Sequence, residues 1–174
     1  MKYIVKLIVV TFFLFLSTNS FAEQKVVVLD MSFLLNSSKA GKEAQEYLKN
    51  KFTKNEKNLS NTEKLLKKQE ADLLAKKSTL SQEDLKKESD KLRKKVISYQ
   101  KERRASLDDL AKQRSSARAR LVEKVNPILD TYIKENNISI VIDKKHMIGG
   151  LNEYDITNII VERLNKELPS LKLK

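Results

Sequence analysis

Apolar residues crowd into short runs near the two ends of the chain and are scattered singly or in pairs among polar ones across its middle. Residues 7–16 are almost wholly apolar, follow Lys2 and Lys6, and precede Ser20-Phe21-Ala22, a small-x-Ala step. That order predicts a cleaved secretory signal over residues 1–22, because the run is roughly half of the ~20 residues a spanning helix needs. Val26-Val27-Val28-Leu29, closed by Asp30, predicts a buried strand. Ile138-Ser139-Ile140-Val141-Ile142, closed by Asp143, predicts a second, and residues 145–148 before Gly149-Gly150 a third. The three fit one small sheet.

Between these runs, residues 42–136 hold one Pro and no Gly and are rich in Lys, Glu, Leu, Ala, Gln, Ser and Arg, so the stretch is helical by propensity. Ser78-Thr79-Leu80-Ser81 interrupts it and predicts a hairpin tip, with Ser81 as an N-cap and Asp84 an acidic third helical position. An ascending helix from Lys42 to about Lys77 would run about 54 Å, and a descending one from Gln82 to Val125 about 66 Å. Asn126 followed by Pro127 predicts a fresh helix carrying Ile128, Leu129, Tyr132 and Ile133 toward the sheet. A last helix, capped by Asp155, places Ile156, Ile159, Ile160 and Leu164 on one face before Pro169 stops it. The expected fold is α+β and mostly α. Residues 23–41 and 126–174 form a small body, and residues 42–125 project from it as an antiparallel helical arm.

The spacing within the arm fixes its character. Phe52, Leu59, Leu66, Leu73 and Leu80 recur every seven residues, while the second core position of each heptad is Asn55, Thr62, Gln69 or Lys76. Leu85, Leu92 and Tyr99 continue the period on the way back, helped by Val96 and Leu110, but Arg103 and Arg114 stand where further apolar residues are expected. Half a coiled-coil seam can zip two helices together and leaves little to bury them against a body. A thin, flexible arm follows, with the seam residues also available to contact a partner.

Composition narrows the chemistry. The 174 residues include no Cys, one His and three Gly, with 33% charged and 6% aromatic side chains. A thiol nucleophile, a thiolate metal site, a disulfide and a cysteine-borne lipid are thereby excluded. No Gly-rich phosphate loop, His-Glu-x-x-His segment or nucleophile elbow occurs. His146 stands without partners, and Asp30 and Asp143 read as caps of strand ends. The expectation is a non-enzyme without cofactor or metal. The net charge of +12 calls for a polyanion. Export leaves nucleic acid out of contention, and the excess belongs to the arm, where residues 42–124 carry 24 basic against 14 acidic side chains. The basic runs 91–95 and 101–104 read as solvated helix faces or anion contacts.

Taken in order, the signal, Lys25-Val-Val-Val-Leu-Asp-Met31, a Lys-rich helical hairpin, Asn137-Ile-Ser-Ile-Val-Ile-Asp143 and Asp155-Ile-Thr-Asn158 resemble the Skp/OmpH family of periplasmic chaperones. The resemblance implies a soluble periplasmic homotrimer whose strands form a central body and whose three arms enclose unfolded outer-membrane proteins without ATP. A sheet of about three short strands cannot cover its own faces and edges, which favours association. Val26, Val28, Ile138, Ile140 and Ile142 are the expected body interface. The family is also associated with lipopolysaccharide through basic arm residues, which implies Lys101, Arg103, Arg104, Lys112 and Arg114 as contacts here. A structural coiled-coil envelope protein, or a lipopolysaccharide or anionic-membrane binder without chaperone activity, is the alternative.

Overall fold

A computed structural model describes residues 24–173. The signal expected over residues 1–22 lies outside the described residues. Strand β1 (Lys25–Leu29) leads into helix α1 (Met31–Ser37), then into the long helices α2 (Lys39–Ala75) and α3 (Gln82–Glu135). Strand β2 (Ile138–Asp143) follows, and helix α4 (Thr157–Glu167) closes the body. β1 and β2 lie side by side and parallel, so the whole hairpin is the crossover between them.

The sheet has two strands rather than the three expected. Asp143 is the reason: its carboxylate accepts the Lys145 N–H at 3.1 Å and receives the Lys145 ammonium at 3.1 Å, turning the chain into a single 3-10 turn, Lys144–His146. Ile148, expected in the third strand, finds no neighbour and stands fully exposed. β1 gains only an isolated bridge from Val28 to Asp155, made by the Ile156 N–H on the Val28 carbonyl at 2.9 Å.

The register explains which strand residues are buried. Lys25 pairs with Ile138 but Val26 pairs with Ile140, so β2 spends one extra residue, Ser139, at a bulge. Paired residues in a parallel ladder share a face, and the bulge therefore moves Ile138 to the face of Val27, Leu29 and Val141. That face packs on the helices, and Val27, Leu29 and Ile138 belong to one core with Leu34, Val125, Ile128, Ile160 and Leu164. Val26, Val28, Ile140 and Ile142 share the opposite face.

α1 was not foreseen. Asp30 caps it, accepting the Phe33 N–H at 2.7 Å, and it delivers Leu34 and Leu35 to the core. Ser38 then ends α1 and starts α2: fully buried, its hydroxyl accepts the Gly41 N–H at 3.1 Å and donates to the Leu35 carbonyl at 3.3 Å. α2 therefore begins at Lys39, ahead of the expected start.

α3 also departs from expectation. No new helix begins at Asn126; one helix of 54 residues runs straight through Pro127. A proline inside a helix costs about 3 kcal/mol because it lacks an N–H and crowds the preceding turn. Here Val125 and Ile128, on either side, are fully buried, and their packing outweighs that cost. At about 1.5 Å per residue, the 37 residues of α2 span about 55 Å and α3 about 80 Å. The body holds only the two ends of this length.

Candidate functional site

Two surfaces can work: the arm and the uncovered face of the sheet. Along the arm, Leu59, Leu73, Leu80, Leu85, Leu92 and Tyr99 are half-buried and Leu66 is buried, while Phe52 is 45% exposed and stands beside the seam rather than in it. Two of the polar heptad positions, Asn55 and Gln69, are held by cross-hairpin bonds, and an ion pair nearer the body adds a third link. Asn55 donates to the Ser106 hydroxyl at 2.8 Å, Lys95 donates to the Gln69 carbonyl at 3.0 Å, and Lys51 pairs with Asp109 at 2.7 Å. Half-buried and exposed polar contacts of this kind contribute little each, so the seam holds register more than it adds stability. Lys51 holds the Asp109 carboxyl below its usual range, and Lys67 does the same for Glu63.

The turn at the tip runs through residues 76–80, with Leu80 N–H and Thr79 N–H both donating to the Lys76 carbonyl at 3.0 Å. Ser81 accepts the Asp84 N–H at 3.1 Å and starts α3. Toward the body, the two helices part around a groove of about 740 Å³. Phe52, Leu59, Tyr99 and Leu107 line it with apolar surface, and Glu56 and Arg103 place opposite charges on it. Leu65, Leu74, Ile97 and Leu107 add exposed apolar side chains to the arm. The heptad count overlooked them because they lie off the seam; their signal is apolar residues at non-core spacing in an otherwise polar helix.

The five basic candidates divide between two faces. At 100° per residue, Lys101, Arg104 and Lys112 point away from the seam, whereas Arg103 and Arg114 fall on its side. All five are exposed. Among the described residues, Lys51, Lys67 and Lys91 are the arm's basic side chains paired with carboxylates. The remaining positive charge is left to solvent or a partner.

On the body, Ile140 is 49% and Ile142 37% exposed, and Val26 is half-buried. Val28, on the same face, is covered within the chain, and Ile138 is in the core; neither offers surface as the expected interface would require. Met147, Leu151 and Tyr154 border a shallow hollow of about 670 Å³ against this face. Beneath its rim, Asp155 ties the ends together. Burial pushes its carboxyl up, but the Lys144 ammonium at 2.7 Å and the Thr157 hydroxyl and N–H outweigh that and hold it below the usual carboxylate range. The Thr157 hydroxyl in turn accepts the Asp30 N–H at 2.8 Å. The Asp-Ile-Thr segment thus fastens the start of α4 to the end of β1, although Ile156 rather than the expected Asp155 holds the cap position, and without a side-chain cap.

Among the described residues no cluster of His, Asp or Glu is arranged to hold a metal ion, and no helix is long and apolar enough to cross a membrane. His146 is exposed on the 3-10 turn.

A Skp-like protein from Pseudomonas aeruginosa is 25% identical over 170 residues, covering 95% of this chain and 99% of the relative. A crystal structure of a protein described as an OmpH-like outer membrane chaperone from Caulobacter crescentus superposes with a TM-score of 0.80 at 20% identity, over 91% of this chain and 94% of that one. The profile of the OmpH-like outer membrane proteins matches residues 25–164, from the first residue of β1 into α4. Strands, arm and closing helix all fall within that match, and the chain belongs to the OmpH-like family of outer membrane proteins.

Proposed function

We propose that the protein is an ATP-independent periplasmic holdase that grips unfolded outer-membrane proteins with its arms and keeps them from aggregating. The observation that carries this reading is the arm itself: some 80 residues that bury almost nothing yet hold the whole excess of positive charge. A chaperone that releases without fuel needs many weak contacts rather than one shaped pocket. Scattered exposed side chains such as Leu65, Leu74 and Ile97 supply apolar contacts, and unpaired Lys and Arg attract acidic chains over a distance. Membership of the OmpH-like family and a chaperone among its structural relatives support the same use.

The body acts through self-association, as a homotrimer. A two-stranded sheet with free edges and an apolar outer face is incomplete alone. Ile140, Ile142 and Val26 present that face, and Met147, Leu151 and Tyr154 border it. Diluting a urea-unfolded outer-membrane barrel into the mature protein tests the function. The barrel should stay in solution as a discrete complex at stoichiometric chaperone; scattering that grows at the same rate with and without excess protein refutes it.

A second reading, an anionic-lipid or lipopolysaccharide contact, is favoured by the outward set Lys101, Arg104 and Lys112, which lies free of the seam. Replacing the three with Gln should weaken binding to anionic vesicles while leaving barrel protection largely intact.

A further inference from the structure

Beyond α4, residues 168–173 turn back onto the body. Leu168 caps the helix through its N–H on the Leu164 carbonyl at 2.7 Å, and Pro169 cannot continue it. Residues 169–173 then cross the root of the arm and touch both of its helices. Ser170 donates to the Glu43 carboxylate of α2 at 2.8 Å. Arg120 of α3 donates to the Leu171 carbonyl at 2.9 Å. Between these two bonds Leu171 is 1% exposed and belongs to the core that includes Ala40 and Ala44 of α2 and Ala117 and Leu121 of α3. Alanine at three of these four positions keeps the helix surfaces low enough to admit the crossing strand.

The path is held under constraint. Lys172 adopts φ 47°, a left-handed conformation that a residue with a Cβ takes only when its surroundings hold it there. Its N–H donates back to the Ser170 hydroxyl at 3.0 Å, closing the turn. Upstream, the Lys39 N–H donates to the Asn165 side chain at 2.7 Å, so α4 and the tail together fasten the first turns of α2. The match to the family profile ends at Leu164, ahead of this tail.

We propose that residues 169–173 are a clasp that sets the angle at which the arm leaves the body. α1 packs against both long helices from the β1 side, and the tail adds a second bridge, joining α2 at Glu43 and α3 at Arg120 at one level of the root. With the clasp seated, the arm is held in one direction. Released, it swings about its root, widening the space it can offer a bound chain. The Ser170–Glu43 bond is exposed to solvent, so opening starts there and is completed when Leu171 leaves its place between the two helices.

The chain has no cysteine, so labels can be placed at will. Spin labels on Ser78→Cys at the tip and Glu162→Cys on α4, in chains diluted with unlabelled protein, report the tip-to-body distance within one chain. The comparison is between the parent, a chain ending at Leu168, and the double variant Arg120→Ala/Ser170→Ala, which alters no apolar core position. Circular dichroism confirms that each is helical. The width of the distance distribution should roughly double in the truncated chain. An unchanged width in a folded truncated chain overturns the clasp; if that chain does not fold, the double variant decides, by a broadened or an unchanged width. No client enters the measurement, so its failure is separate from any failure of the holdase reading.

Discussion

Gly41 lies where α1 passes into α2, and a Cβ built there would sit 1.8 Å from the Leu35 carbonyl oxygen, a collision with backbone that no rotamer relieves. Gly41→Ala should therefore destabilise the body by about 2 kcal/mol or more, near the upper part of the overpacking range, as read from urea unfolding. Ser38 caps α2 through the N–H of that same glycine, an interaction typically worth about 1 kcal/mol. Asp155 makes the body sensitive to acid in a definite direction. Its carboxyl is depressed in the folded chain, so the stability it contributes is present above the unfolded carboxyl range. That stability is lost as pH falls through the folded value. Asp155→Asn should lower stability at neutral pH and flatten the loss below about pH 4, checked by thermal melts across pH.

At the scale of elements, the sequence and the structure agree where one pattern acts alone. The paired strands closing on Asp30 and Asp143, the two long helices and the Ser81 start of α3 each follow from local periodicity and capping. They part where tertiary contacts decide. Pro127 reads as a helix start, yet burial of Val125 and Ile128 carries the helix through it. Pro127→Ala restores an N–H to that turn and should raise stability by about 1–2 kcal/mol in urea unfolding. Ile138 alternates with Ile140 and Ile142 along the chain, and only the bulge at Ser139 reveals that it faces inward. Phe52 keeps the heptad spacing but sits beside the seam, since a count of seven cannot show where two helices part. The polar half of that seam makes the arm yielding. Replacing Asn55 and Ser106 together with Leu should slow amide exchange in the neighbouring turns about tenfold, corresponding to roughly 1.4 kcal/mol.

For the whole molecule, charge and shape point the same way. The strand-bearing ends are electrically balanced, while the projecting helices carry ten more basic than acidic side chains between residues 42 and 124. A screening length of about 8 Å at physiological salt lets such a surface gather acidic chains from solution, and the attraction fades as salt rises. Self-association through the exposed face of Ile140 and Ile142 would gather several cationic arms around one client, multiplying weak contacts without a shaped pocket. Light scattering of the mature protein should give a mass three times that of one chain. Ile140→Asp together with Ile142→Asp should shift it toward the single chain. The most direct test of the cationic grip is the affinity of one unfolded, acidic outer-membrane barrel, measured by fluorescence titration across increasing salt. The parent arm should be compared with one in which Lys64, Lys68, Lys87, Lys94, Arg104 and Lys112 are replaced by Gln. The expected result is tight binding at low salt that weakens steadily with added salt, and a marked loss of both affinity and salt dependence in the neutralised arm; equal affinity for the two arms at every salt concentration would contradict it.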